Sequence, residues 1–434
     1  MRQLLASKVS GTLVGLWLLV PEHLRLGTWD LVRAWAAQPS GHVAPHLALQ
    51  LIHEAALGVT GIRQSRTLSQ KGFELANGLP YVAADRPIHD LLDAHTVAQA
   101  QELQVALGLV RRARGHFAGR LLAIDPHRIP SYSQRQMRRH RSNHKEERRA
   151  GKCAQTFFAL DADTRQPVCL LTGTASRTAT EAALELLPLA ERILPAHDRP
   201  TLVLADSEHF TLELLDQVRA WQRWALLVPM PQQPYYRRQW ESLPPDAFRP
   251  QWAGLATACR SFVRGPGRPP LSQWVQRCGE RPADYHFKGF LCTDDRRDQV
   301  ESLIVDFPKR WHIEEFFHDH QALGWQRAGT LNLHIRYGQM SFALFAQAAL
   351  DQLRQRLGQP FCQWDASHFA KQCLAAWDGD IRVHRDTIVV TYYNAPEAER
   401  LRSHFERLPD RLQAEGVDPR IPWLYNFKLD FRFR

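Results

Sequence analysis

The sequence predicts a multidomain α/β protein, and three patterns predict it. Helix-period apolar stripes fill residues 1–118, short apolar strands alternate with helices over 119–229, and a proline- and arginine-rich stretch of short alternating runs occupies 230–300. At 434 residues the chain has ample core to bury. Apolar residues at 44%, with 13 Trp and 20 Phe, exclude wholesale disorder.

In the helical N-terminal domain, HLALQLIHEAALG (46–58) has a helix period and a glycine stop, and TVAQAQELQVALGLVRRARG (96–115) repeats that plan. The second stripe, Val97, Ala100, Leu103, Leu107 and Val110, ends in Arg111, Arg112 and Arg114. These cations either complement the helix C-terminus or contact DNA phosphate. The apolar run TLVGLWLLVP (12–21) is far short of the roughly 20 residues a membrane helix needs. It also lacks a secretory cleavage signal, so it reads as a core helix of a soluble, cytoplasmic protein.

The pattern changes at Arg120. RLLAID (120–125) is a short apolar run ending in an acid, AQTFFALD (154–161) and PVCLLTGT (167–174) read as a hairpin, and TLVLAD (201–206) is a buried strand ending in a second acid. TATEAALELLPLAERIL (178–194) is helical with a kink expected at Pro188, and Phe210, Leu214, Val218 and Trp221 mark one face of another helix. WALLVP (224–229) is the fifth strand, which gives the order β-β-β-α-β-α-β. Residues 301–358 return to helix, with Pro308 near a start and SFALFAQAALDQLRQRLG (341–358) apolar around most of its girth. Residues 359–434 form an α+β extension with a strand in DTIVVTYYN (386–394) and a helix around 396–414.

The seven cysteines, Cys153, Cys169, Cys259, Cys278, Cys292, Cys362 and Cys373, are odd in number, widely spaced and without a C-x-x-C pair. Neither a zinc ribbon nor a disulfide framework is indicated. A cluster of Cys259, Cys278, Cys292 and His286 is weaker than the alternative of unpaired thiols in a reducing cytosol.

Two-metal phosphoryl transfer requires carboxylate oxygens from two or three side chains around ions about 3.5–4 Å apart. Asp125 and Asp206 each follow an apolar strand, and they share one sheet edge if those strands are neighbours. Each is also a natural turn residue, before Pro and before Ser. Asp161 and Asp163 compete with Asp125 but sit in the hairpin turn. In KRWHIEEFF (309–317), Ile313, Phe316 and Phe317 point to a core. Phe307, Arg310, Glu314 and Gln321 fall along one side of a helix, with Glu315 turned away. Glu314 therefore points with Arg310, a guanidinium suited to a DNA phosphate. A plain surface ion pair is the bland alternative.

Together, IDPHRIPSYS, LVLADSEHF and F-x-x-R-W-x-I-E-E-F-F resemble the DDE transposases of bacterial insertion sequences. The subgroup they resemble carries a β-rich insertion between the second Asp and the Glu, and the likeness covers about residues 120–358. It implies a ribonuclease H-like mixed sheet with flanking helices as the catalytic core, over 119–229 and 301–358, interrupted by the insertion at 230–300. It assigns the three metal-binding, catalytic acids to Asp125, Asp206 and Glu314, with two Mg²⁺ or Mn²⁺ ions as cofactor. The subgroup's Tyr and Lys positions hold Phe307 and Gln321, so a hydroxyl and a cation that help hold a terminal phosphate are absent. In relatives an aromatic of the insertion stacks on a flipped base, for which Trp240, Trp252 and Trp274 are candidates.

The implied function is a DNA transposase. It binds terminal inverted repeats, cleaves them and joins the 3′-hydroxyl ends to target DNA. A dimer is expected in the DNA complex, since two ends must be cut together, and the place of work is the bacterial nucleoid. A nuclease or resolvase that cuts without joining, and a domesticated, non-catalytic DNA-binding protein, are the alternatives. The net charge of +10 suits a polyanionic partner. Between Pro126 and Lys152, nine Arg/Lys and two Glu leave an excess of +7. Arg138, Arg139, Arg141, Lys145, Arg148 and Arg149 of this segment, with Arg310, are the expected DNA contacts. Removing one such cation is expected to lower the slope of log affinity against log salt by about 0.9. Fluorescence-anisotropy titrations across a KCl series check this.

Overall fold

The computed structural model describes every residue except Met1, 38–43, 60–67, 132–138, 141–150, 264–268, 326–329 and 331, and at 2, 3, 139 and 140 the backbone only. The chain divides into two compact units, Arg112–Phe316 and the pair of segments Met1–Arg111 and Phe317–Arg434.

The 112–316 unit is built on strands β1 (Leu121–Pro130), β2 (Arg139–His140), β3 (Gly151–Asp161), β4 (Gln166–Thr174), β5 (Thr201–Leu204), β6 (Trp224–Pro229), β7 (Arg249–Trp252), β8 (Leu255–Phe262), β9 (Leu271–Cys278) and β10 (His286–Cys292). They lie in the order β2-β3-β1-β5-β6-β10-β9-β8-β7, with β4 on the far side of β3. β3 pairs antiparallel with both β1 and β4, whereas β1, β5 and β6 run parallel. This is the expected mixed sheet. The hairpin of β3 and β4 turns through Arg165, at φ 59. Leu202, Val203 and Leu204 of β5 and Leu226, Leu227 and Val228 of β6 are all at 0% exposure, as parallel strands covered on both faces require. Each such side chain contributes about 1.5–3 kcal/mol by leaving water.

Two helices carry the parallel crossovers, α1 (Ala179–Ile193) before β5 and α2 (Leu212–Trp221) before β6. A reciprocal cap starts α1. The Thr178 hydroxyl accepts from the Glu181 N–H while the Glu181 carboxylate accepts from the Thr178 N–H. Pro188 lies inside this helix, which runs on to Ile193.

The strands between 249 and 292 continue this same sheet. β10 pairs antiparallel with β6 through Phe290↔Pro229, Leu291↔Val228 and Cys292↔Leu227, and β9, β8 and β7 follow outward. Helix α3 (Pro234–Glu241) lies on β10 with Trp240 fully buried against Gly289. A Cβ at 289 would come within 2.2 Å of the indole, so only glycine lets that ring lie against the strand.

In the other unit the N-terminal helices share a core with the C-terminal segment. The buried helix Leu333–Leu357 packs against Ala44–Ala56. Strand Val9–Gly11 pairs with Gly379–His384, which continues through Thr387–Tyr392 to Lys428–Phe433 in a four-stranded sheet. Helix Val97–Ala113 is as expected, except that Arg111 is at 1% exposure. Its guanidinium is inside the protein and is not a DNA contact. The apolar run near the N-terminus is a buried 3₁₀ segment, Val14–Leu19, followed by helix Val20–Arg25. No helix among the described residues is long and apolar enough to cross a membrane.

His23 and His53 lie in this unit's core with ring centroids 5.1 Å apart. Their Nδ1 atoms face Thr28 Oγ1 at 3.1 Å and Asn77 Oδ1 at 2.6 Å. Burial pushes His53 down to about 4 against the opposing Asn77 hydrogen bond, and burial with the neighbouring His53 pushes His23 down as well. The unfolded chain takes up these protons near pH 6.5, and the folded chain resists until about pH 4. The contribution of His53 to stability is therefore complete above pH 6.5 and is lost as the pH falls toward 4, by on the order of 3 kcal/mol. Urea midpoints of the parent chain should fall between pH 7 and pH 4.5, and those of His53→Gln should fall less.

Candidate active site

The site is set first by backbone register. Parallel pairing of β1 with β5 runs Leu121↔Leu202, Leu122↔Val203, Ala123↔Leu204 and then stops. The same offset carried two residues on brings position 206 beside position 125. Asp125 sits in mid-strand, not at a strand end, because β1 continues to Pro130 paired with β3 alone, Asp125 opposite Phe158. Asp206 lies just past β5 and caps the 3₁₀ turn Ser207–His209. Its Oδ1 accepts from the Glu208 N–H at 3.1 Å and faces His209 Nδ1 at 2.8 Å, which leaves Oδ2 outside both bonds.

The third acid arrives on a separate arm. A π-helical segment, Glu301–Asp306, leads through a 3₁₀ stretch, Phe307–Trp311, into helix α4 (His312–His320). Ile313 is fully buried, and Phe316 meets Phe158 edge-to-face at 5.6 Å. The arm is thus anchored on the residue paired with Asp125. Arg310 is buried at 8% exposure, with Trp311 stacked 4.9 Å from its guanidinium. Arg310 Nη2 donates to Glu314 Oε1 at 2.9 Å, and Nη1 lies 3.9 Å from Asp125 Oδ1.

Burial pushes the Asp125 carboxyl well above its ordinary value, and the charges of Asp206, Glu314 and Glu208 push the same way against Arg310. Burial also pushes Asp206 up, but the hydrogen bonds from His209 and the Glu208 N–H, with the Arg310 charge, outweigh it and hold Asp206 low. Hard oxygen donors that repel one another, with side chains 16%, 30% and 40% exposed at Asp125, Asp206 and Glu314, suit a divalent cation such as Mg²⁺ or Mn²⁺. Among the described residues no three His, Cys, Asp or Glu side chains are yet close enough to hold a metal together. The guanidinium of Arg310 lies between Asp125 and Glu314 and supplies positive charge there.

A family model described as a transposase DDE domain matches residues 116–347, a span that contains all three acids. The chain belongs to that family. A piggyBac transposase synaptic complex with hairpin DNA, solved by cryo-EM, is similar at a TM-score of 0.43 and 10% identity, over 82% of this chain and 79% of that one. No curated protein matches the chain.

Within this DDE transposase domain the other expected residues separate. Asp161 is fully buried at the far end of β3, opposite Leu122, and accepts from the N–H groups of Gly119, Asp163 and Thr164. Its carboxylate is taken up by the turn. Asp163 is held by Arg120 and Lys309, and Glu315 by Arg165. Phe307 packs edge-to-face on Phe290 at 5.0 Å. Gln321 begins a separate 3₁₀ turn, Gln321–Leu323, so the regular helix face expected from 307 to 321 is broken at both ends and only the Arg310–Glu314 spacing survives. Trp240 and Trp274 are core residues at 0% and 2% exposure, whereas Trp252 on the outermost strand is 53% exposed. In the sheet register Cys259 stands opposite Trp274, Cys278 opposite His286 and Cys292 opposite Ser272.

Arg138, Arg141, Lys145, Arg148 and Arg149 lie outside the described residues, and Arg139 is described only as backbone, paired with Lys152. Arg128, counted in the basic segment, is bound by Glu208. Sequence reasoning missed Glu208 and His209. The one local signal was their position directly after Asp206.

Replacing Asp161 by Ala is expected to cost about 1.5–3 kcal/mol, since one buried and two part-buried N–H groups lose a charged acceptor. Urea unfolding should register that loss while Mn²⁺ binding followed by electron paramagnetic resonance stays at the parent level.

Proposed function

We propose that this DNA transposase binds the terminal inverted repeats of its element, cleaves them by metal-dependent phosphoryl transfer and joins the 3′-hydroxyl ends to target DNA. The observation that supports this most is the convergence of two independent elements on Asp125. The β1–β5 register draws residue 206 beside it, and Arg310 ties Glu314 toward it. Asp125, Asp206 and Glu314 would hold two Mg²⁺ or Mn²⁺ ions. When bound, such ions lower the pKa of an attacking water or 3′-hydroxyl and stabilise the leaving oxygen.

The chain's own residues do the positioning. His209 and the Glu208 N–H orient one oxygen of Asp206. Trp311 and Glu314 hold the Arg310 guanidinium beside the acids, where it suits a phosphate of the cleaved strand. The basic residues from Arg135 to Lys152, a short way past Asp125 in the chain, suit the DNA backbone on either side of the cut. A dimer in the DNA complex and work on the nucleoid in the cytoplasm belong to the same reading.

With end duplexes taken from the inverted repeats beside the gene, Asp125→Ala, Asp206→Ala and Glu314→Ala should each cut at below about a thousandth of the parent rate, about 4 kcal/mol of barrier. Binding to the duplex should persist. Full strand transfer by any one of the three would sink the assignment. Pre-cut ends supplied with a target plasmid should give joined products with the parent chain, and a nuclease would give none.

A further inference from the structure

We infer that Arg128 and Glu208 form a positioning clamp that sets the spacing of Asp125 and Asp206, and through it the affinity of the acid site for divalent cations. This rests on the assignment of those two acids above. The clamp is needed because the sheet ladder ends just short of them. Backbone pairing of β1 with β5 stops at Ala123↔Leu204, while Asp125 and Asp206 both lie beyond it. From there β1 is tied by backbone only to β3, on its other side. No ladder bond holds one acid at a set distance from the other.

Side chains bridge that gap. Arg128 stands three residues past Asp125 on β1, and Glu208 two residues past Asp206 in the 3₁₀ turn. Arg128 Nη1 donates to Glu208 Oε1 at 2.8 Å and Nη2 to Oε2 at 2.5 Å, a fork-to-fork pair that resists rotation as well as separation. The remaining edge of the guanidinium is also used. Nε donates to Oε1 of Gln155 at 3.2 Å, the residue directly opposite Arg128 on β3. Gln155 is at 1% exposure, and its Nε2 donates to the carbonyls of Thr174 at 2.5 Å and Arg177 at 2.6 Å. At the other end the Glu208 N–H donates to Asp206 Oδ1. An unbroken path of hydrogen bonds therefore runs from the end of β4 through Gln155, Arg128 and Glu208 to Asp206.

Both carboxylate oxygens of Glu208 and all three guanidinium nitrogens of Arg128 take part in this bridge, so the two side chains are turned to each other and to Gln155. With side chains 24% and 30% exposed, an ion pair of this kind adds little to stability. Its value is geometric. Residues that orient metal ligands through hydrogen bonds typically govern 10–100-fold in metal affinity.

The test titrates Mn²⁺ into the full chain and reads bound ion by electron paramagnetic resonance, with thermal midpoints alongside. Arg128→Ala and Glu208→Gln should melt near the parent yet require about 10–100 times more Mn²⁺ for half-saturation. Arg128→Lys, which keeps the charge without the fork, should lie between them and the parent. The exchanged double variant Arg128→Glu with Glu208→Arg should bind Mn²⁺ more tightly than either single variant. Parent-like Mn²⁺ binding by the single variants, or an exchanged pair no better than they are, overturns the clamp. Absence of Mn²⁺ binding by the parent chain would instead strike at the three acids themselves and take the clamp with them.

Discussion

Bringing partly buried carboxylates toward one another is the constraint on which the 112–316 unit turns. Unit charges about 4 Å apart interact by about 4 kcal/mol even at an intermediate dielectric, and burial adds to the cost of each charge. Asp125 carries most of that burden, raised by burial and by three neighbouring acids. The fold meets it with Arg310, whose guanidinium reaches toward Asp125 while bonded to Glu314, and with donors aimed at Asp206. A site arranged this way is tolerable at rest and gains from added positive charge.

Rigid and adjustable parts are divided accordingly. The hairpin of β3 and β4, with Phe157 and Phe158 buried at its centre, lies beside β1 in the same sheet and pairs with it through β3 from Leu122 to Pro130. The arm that brings Glu314 changes helical type twice, from π through 3₁₀ to α, and is anchored by Ile313 and by Phe316 on Phe158. Helix type, unlike a β-ladder, can shift by rearranging a few local hydrogen bonds. The acid delivered from farthest along the chain thus rides on an element of mixed helical type.

Much of this was legible locally. The runs TLVLAD, AQTFFALD and PVCLLTGT are buried on both faces and announce themselves by apolarity, and Arg310 and Glu314 meet because an i,i+4 spacing makes them meet. The second half of β1 was hidden by Pro126 and Pro130, which read as a turn. They are tolerated because β1 pairs there on one side only, so a missing N–H on the other costs nothing. Glu208 and Arg128 are 80 positions apart in sequence and meet only after two strands have found their register. The common core of 1–111 with 317–434 is equally remote in sequence, and no local period could have revealed it. Trp240, Trp252 and Trp274 could not be told apart as base-stacking candidates in the sequence, because an isolated indole does not show which face of its element is covered.

The continuity of the insertion with the catalytic sheet bears on how such a chain can be shortened or inherited. Strand β6 is apolar along its length and would be an open sheet edge if β10 did not cover it. Bare edges of that kind invite pairing with another molecule and aggregation. Trimming residues 230–292 would therefore uncover an adhesive strand in the 112–316 unit and damage solubility. The insertion doubles as an edge guard, so the more expendable changes of length are those beyond β7 or within its loops, where no sheet partner is left behind.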